Sequence, residues 1–274
     1  MKIEKLSVLG LSAIVLSAAT SSAAVQYNEF GYDMPSTDNG KEFIELAGAA
    51  GESLDGVWLV VLEGDVGAAG GGGVVEQAIS LQSQSIGSNG LFLVRDSTAV
   101  NDPAPAAGTN IFVNDFAPDI ENNTSNHILV RNFTSTVGTD LDSTDDGVLD
   151  STPWTDVLDA VTLLENSGVE LNYLATSGKV SALIGNPDSA FRLSDGRWVG
   201  VVSDSPPGSG MGPYPLTNAT TMLRLFDGTE LDDATLNNPA LTPGNINPAV
   251  VPEPAALSLL SIGGLATLRR RRLR

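Results

Sequence analysis

Apolar residues along this chain come in short bursts separated by glycine, proline, asparagine and aspartate, and few stretches show helical spacing. Such bursts read as strands, because side chains alternate between faces with a period of two and turn residues bound each run. The pattern predicts strands over Val25–Phe30, Lys41–Leu46, Leu54–Glu63, Gln77–Leu81, Gly90–Arg95, Asn110–Asn114, His127–Phe133, Trp154–Leu164, Val180–Ile184, Arg197–Val202 and Thr220–Phe226. Short strands at this spacing predict an all-β, antiparallel sandwich with one apolar face per sheet. Between them lie a polar loop at 32–40, a glycine-rich turn at 67–73, a Pro/Ala loop reaching Gly108, an acidic loop at 140–150 and a turn at Thr242–Asn245.

The two ends follow a different pattern. Lys2 and Lys5 precede an apolar run from Leu6 to Ala19 and then small residues ending Ser22-Ala23-Ala24, the parts of a signal peptide over 1–24, cleaved after Ala24 by signal peptidase. At the other end Pro252-Glu253-Pro254 forms a stiff break, since each proline fixes φ and removes a donor. Uncharged Ala255–Leu268 follows; as a helix it rises about 21 Å, short of a hydrocarbon core of roughly 30 Å. Arg269, Arg270, Arg271 and Arg272 then supply a cytoplasmic stop.

Proline break, short apolar helix and terminal arginines in that order resemble the PEP-CTERM sorting signal of Gram-negative-type bacteria. The resemblance covers 249–274 and implies transient retention in the inner membrane, cleavage near Pro252–Pro254 by an exosortase, and delivery to the cell surface or extracellular matrix, commonly beside extracellular polysaccharide. An ordinary C-terminal membrane anchor is the plainer alternative.

Charge sharpens once the ends are set aside. Of 14 Lys+Arg, two lie in the N-terminal segment and five in the tail, and one of 33 Asp+Glu is N-terminal, leaving 25–254 with a net charge of −25. Phosphate recognition needs clustered cations, so nucleic acid is not an expected partner. With no cysteine, an exported body is held by its core, by metal, or by both.

Within the body, Tyr27-Asn28-Glu29-Phe30, Glu42-Phe43-Ile44-Glu45-Leu46, Ser53-Leu54-Asp55-Gly56-Val57-Trp58, Gly90–Val94, Asp156-Val157-Leu158-Asp159-Ala160-Val161 and Thr242-Pro243-Gly244-Asn245 fall in a familiar order. They resemble a lamin-tail domain, which implies an immunoglobulin-like sandwich over 25–248 of a kind found on secreted and surface proteins. The glycine run at 70–73 and the longer middle section depart from that pattern.

Ligand chemistry concentrates in one loop. With Asp142 as position 1, oxygen ligands stand at positions 1, 3 and 5 (Asp142, Thr144, Asp146), Gly147 at 6 and Asp150 at 9, with Asp140 just before. Alternate side chains of that kind can converge on one hard cation, and glycine permits the turn, which predicts a structural Ca²⁺. Pro153 replaces the bidentate glutamate of an EF-hand, so the loop resembles the shorter calcium loops of thrombospondin-repeat type. The competing reading is a solvated turn whose aspartates cap backbone donors.

Other groups carry less. Glu29, Glu42 and Glu45 are either paired carboxylates for acid–base work or residues that hydrogen-bond to close the first hairpin or simply face solvent. His127, the only histidine, is read as a strand-edge residue. Trp58, Trp154 and Trp198 are either a sugar-stacking platform or core. No G-x-S-x-G elbow or phosphate loop occurs. The expectation is a non-enzymatic surface or matrix protein, with a Ca²⁺-dependent carbohydrate- or matrix-binding module as second reading and a secreted nuclease or glycosidase as third.

Overall fold

The computed structural model describes residues 24–33, 40–68, 70–97, 104–164, 170–173, 182–184, 189–202, 222–225, 230–231 and 241–247. Its elements are β1 (Gln26–Gly31), β2 (Phe43–Ala47), β3 (Val57–Glu63), β4 (Val75–Ser80), β5 (Leu91–Arg95), β6 (Asn110–Val113), β7 (Ser125–Arg131), β8 (Asp156–Leu164), β9 (Ala182–Ile184), β10 (Ser189–Arg192), β11 (Trp198–Val202), β12 (Met222–Leu225) and β13 (Glu230–Leu231). No helix occurs among the described residues.

The strands form two sheets, ordered β13-β12-β11-β10-β1-β2-β5-β6 and β4-β3-β7-β8-β9. Pairing is antiparallel except at β5·β6 and β8·β9, which are parallel. Those two parallel pairs depart from the wholly antiparallel expectation. A parallel neighbour needs a long return connection, and 14 residues separate β5 from β6 and 17 separate β8 from β9. Two further strands escape the sequence pattern. Ser189–Arg192 is a four-residue strand with two small residues, and Glu230–Leu231 is too short to show a period.

The inward faces meet in one apolar core. Tyr27, Phe30, Ile44, Leu46, Phe92 and Val94 from the first sheet pack with Leu59, Leu129, Val161 and Leu163 from the second, which gives the molecule the character of a β-sandwich. A bulge between Tyr27 and Glu29 shifts the parity of β1. Both Tyr27 and Phe30 therefore reach the core although three positions apart, while Glu29 turns to the opposite face.

The smaller sheet is covered on both faces. A second apolar cluster lies on its far side: Val60, Leu62, Val75, Ile128, Val130 and Ala160, roofed by Phe133, Leu141, Leu149 and Tyr173. This explains why β3 and β7 read as nearly continuous apolar runs instead of alternating ones. The roof includes the acidic loop.

Candidate functional site

The acidic loop is moored at both ends by apolar side chains. Leu141 and Leu149 are buried in the second cluster, and the Asp150 N–H donates to the Leu141 carbonyl at 2.7 Å. Between them the chain curls around one carboxylate. Asp142 is fully buried; its Oδ2 accepts from the Gly147 N–H and the Tyr173 hydroxyl, each at 2.9 Å. Its Oδ1 accepts from the Asp146 N–H at 3.3 Å and the Thr144 hydroxyl at 3.5 Å. Burial, then the acceptor at Asp142, pushes the Tyr173 phenol above its ordinary range. Asp140 accepts from the Asp142 N–H at 2.9 Å, and Asp150 from the Ser143 hydroxyl at 2.6 Å. That last bond holds the exposed Asp150 carboxyl below its usual range.

The Thr144 hydroxyl and the Asp146 N–H thus close on Asp142, with Gly147 (φ 80°) making the turn, whereas the carboxylates of Asp140, Asp146 and Asp150 each cap a backbone donor of their own. The glycine run is the loop's seat. Gly72 N–H donates to Asp145 Oδ1 at 2.7 Å, and Leu141 N–H donates to the Gly73 carbonyl at 3.1 Å. A Cβ at Gly73, itself at φ 81°, would lie 2.7 Å from the Cβ of Asp142. The run read as a glycine-rich turn is a close-packed dock.

A second carboxylate group has no sequence signal. Glu63 at the end of β3, Glu76 in β4 and Glu121 from a distant loop place one oxygen each within 4.8 Å of one another. Among the described residues this is the group with the spacing of a metal site; the carboxylates of the acidic loop do not meet it in this arrangement. Burial first, then the charges of Glu63 and Glu121, pushes Glu76 up to about 9. The trio can hold a divalent cation or share protons, since three crowded carboxylates cannot all stay ionised alone.

Glu29, Glu42 and Glu45 lie fully buried and act as backbone acceptors. Glu29 takes the Thr242 N–H at 2.7 Å, Glu42 the Ile120 N–H at 3.1 Å, and Glu45 the Gly244 N–H and the Asn28 amide. Asp96 adds the N–H groups of Glu42 and Phe116. Glu29 and Glu45 stand directly opposite each other on β1 and β2, so burial and mutual repulsion raise Glu29, and burial lifts Glu45 to about 8.

His127 is not at a strand edge. It sits inside β7, the middle strand of the smaller sheet, fully buried against Phe30 at 4.9 Å between ring centroids. Burial lowers it to about 3, so it is neutral, and its Nε2 meets the Ser125 hydroxyl at 3.0 Å. The sequence pattern misplaces it because β7 begins two residues earlier, at polar Ser125 and Asn126, which the other strands cover. Trp198 is likewise core, 5.6 Å from Phe30, while Trp58 and Trp154 flank Phe133 in the second cluster.

Ala24 lies exposed just before β1. Residues 1–23, Pro252, Glu253, Pro254 and Arg269–Arg272 lie outside the described residues, among which no helix is long and apolar enough to cross a membrane. Comparison with known proteins finds no matching protein family, no matching curated protein and no matching solved structure.

Proposed function

We propose that this chain is a non-enzymatic surface or matrix protein: an immunoglobulin-like sandwich of lamin-tail kind, exported by signal peptide 1–24 and sorted by a PEP-CTERM tail. One observation carries this reading. The closing turn Thr242–Asn245 is gripped by Glu29 and Glu45, so the folded body extends to the edge of the tail. Pro252–Pro254 follow within a few residues, and cutting there leaves every described contact intact. The buried acids Glu29, Glu42 and Glu45, the first candidates for acid–base work, are engaged as backbone acceptors. Signal peptidase, an exosortase and, transiently, the inner membrane are the partners this route requires, with extracellular polysaccharide as the surroundings.

The test is to express the full chain in a bacterium with and without an exosortase and to measure the intact mass of the extracellular form. A product starting near Val25 and ending near Pro252–Pro254, formed only with the exosortase, is the expected result. Extracellular or stably membrane-bound protein that still ends in Arg274 overturns the reading.

Ca²⁺ belongs to the same proposal as a structural ion at Asp142, Thr144 and Asp146, with Asp140 and Asp150 completing the oxygen set. The curl of the loop around the buried Asp142 carboxylate, with the Thr144 hydroxyl beside it, supports it; Asp146, whose carboxylate caps the Val148 N–H, would turn inward to bind. A ligand that binds only the folded state at about 100-fold over its Kd adds about 2.7 kcal/mol, or ~5–10 °C in Tm for a chain of this size. Millimolar Ca²⁺ is expected to raise Tm by that order in the native chain and not in Asp142→Asn; a Tm unmoved by Ca²⁺ removes the ion.

A further inference from the structure

At one end of the sandwich, where β1 and β5 start and β10 ends, an open groove of about 470 Å³ lies beside the closing turn. It falls in the size range of small-ligand sites, roughly 300–1,000 Å³. Its ionic groups cancel in pairs: Arg192 binds Asp159 at 2.6 Å, and Asp195 at the rim binds Arg197 at 2.7 Å. Four carboxamides, Gln26, Asn28, Asn89 and Asn247, stand among its uncharged lining residues.

Those carboxamides are held in fixed orientations. Arg192 Nη1 can only donate, and it does so to Gln26 Oε1 at 2.8 Å, which turns the Gln26 amide NH₂ away as a donor. Asn247 Nδ2 donates to the Asn28 and Arg192 carbonyls, each at 2.9 Å, and its Oδ1 accepts from the Thr242 hydroxyl at 3.3 Å, so this side chain is spent on tying the closing turn to the groove wall. Asn89 accepts the Leu91 N–H at 3.2 Å and donates to the Thr109 hydroxyl at 2.7 Å. Asn28 gives its NH₂ to Glu45, leaving its carbonyl as an acceptor. What these bonds leave for a ligand is the Gln26 NH₂ as donor and the Asn28 side-chain oxygen as acceptor, both on neutral groups of β1 that line the groove. Ile246, 89% exposed at the rim, adds an apolar surface.

We propose that this groove binds a neutral oligosaccharide, the Gln26 and Asn28 carboxamides taking vicinal hydroxyls and Ile246 covering the C–H face of a ring. A vicinal diol presents adjacent donors and acceptors without charge, which is what oriented amides match. An anionic ligand is disfavoured, because the arginine of the groove already holds Asp159 and Gln26 and the body carries a net −25. The proposal rests on the groove alone, so it stands or falls independently of tail processing and of Ca²⁺ at the acidic loop.

The experiment follows the ¹⁵N-labelled side-chain amide signals of the purified full chain, in EDTA, during titration with neutral hexasaccharides of glucose, mannose, galactose and xylose. Hexagalacturonate and a neutral Gly-Ser peptide are run beside them. At least one neutral hexasaccharide should shift the Gln26, Asn28, Asn89 and Asn247 signals saturably below about 10 mM, an affinity of only a few kcal/mol. Ser194→Trp, at an exposed groove position, should weaken that binding about tenfold or more with Tm unchanged, and Ile246→Ser should weaken it several-fold. No shift with any neutral sugar, a shift indifferent to Ser194→Trp, or binding of the uronate or the peptide alone overturns the proposal.

Discussion

Replacing Asp159 with alanine is expected to cost the fold about 3–5 kcal/mol, the usual effect of removing one member of a buried ion pair. Asp159 stands on β8, in the smaller sheet, and its Oδ2 accepts from two groups of the larger one: the Tyr27 N–H at 2.9 Å and Arg192 Nη2 at 2.6 Å. The first is the backbone donor at the β1 bulge; the second belongs to a guanidinium lying 4.9 Å from the centre of the Trp198 ring. Both charged side chains are little exposed, 11% and 12%, so solvent screens the pair weakly. Burial pushes the Asp159 carboxyl above its ordinary range even though the Arg192 charge pulls it down, a sign that desolvation outweighs the attraction. Hence the pair adds little net stability, while the alanine variant strands a buried cation and a buried N–H. Urea unfolding at pH 7 measures the loss. The double variant Asp159→Leu/Arg192→Met should recover the share due to the stranded cation but not that of the Tyr27 N–H, and a single-variant loss below about 1 kcal/mol would contradict the clamp.

Stability is expected to rise as pH falls from about 8 to about 5, against the habit of proteins whose carboxylates are salt-bridged. Glu45 and Glu76 hold their protons up to about 8 and about 9 in the fold, and Glu29 is raised too, whereas in the unfolded chain all three titrate near 4.3. Between those limits the folded state binds more protons, so raising the pH removes stability, by up to about 1.4 kcal/mol per unit for each group. His127 acts in the opposite sense below about 6.5, because it stays neutral in the fold until about 3 and protonates earlier when unfolded. The slope is therefore steepest from pH 8 to 6.5, flattens below, and reverses once the ordinary carboxylate range is passed. Urea midpoints across pH 4–9 in EDTA test this; Glu45→Gln should flatten the alkaline limb. A midpoint constant from pH 6 to 9 would mean these acids are ionised in the fold. Divalent cation at Glu63, Glu76 and Glu121 would shift the Glu76 share, which is the reason for EDTA.

The outline of the strands was legible because each apolar burst had only one way to bury itself. β1 to β8 fall where alternation and turn residues predicted them, to within a few residues. Individual side chains were less legible. Glu29 and Glu45 are polar residues in strands, which alternation assigns to solvent; in the fold they lie beneath the turn at 242–244. Asp159 looked like one more acid of a strongly acidic chain, yet it joins the sheets. His127 looked terminal because its apolar run begins after it.

By itself the sequence determined a β body of −25 charge between two apolar ends, one spacing of loop oxygens around Asp142, and the glycines that let that loop turn. Each of these depends on neighbours along the chain, through period, composition or a few residues' reach. Only the tertiary structure decided which acids are buried, that Glu121 joins Glu63 and Glu76, and that Gln26, Asn28, Asn89 and Asn247 line one groove. Those groupings come from segments far apart in the chain, and no local pattern records which distant backbone N–H a carboxylate will meet.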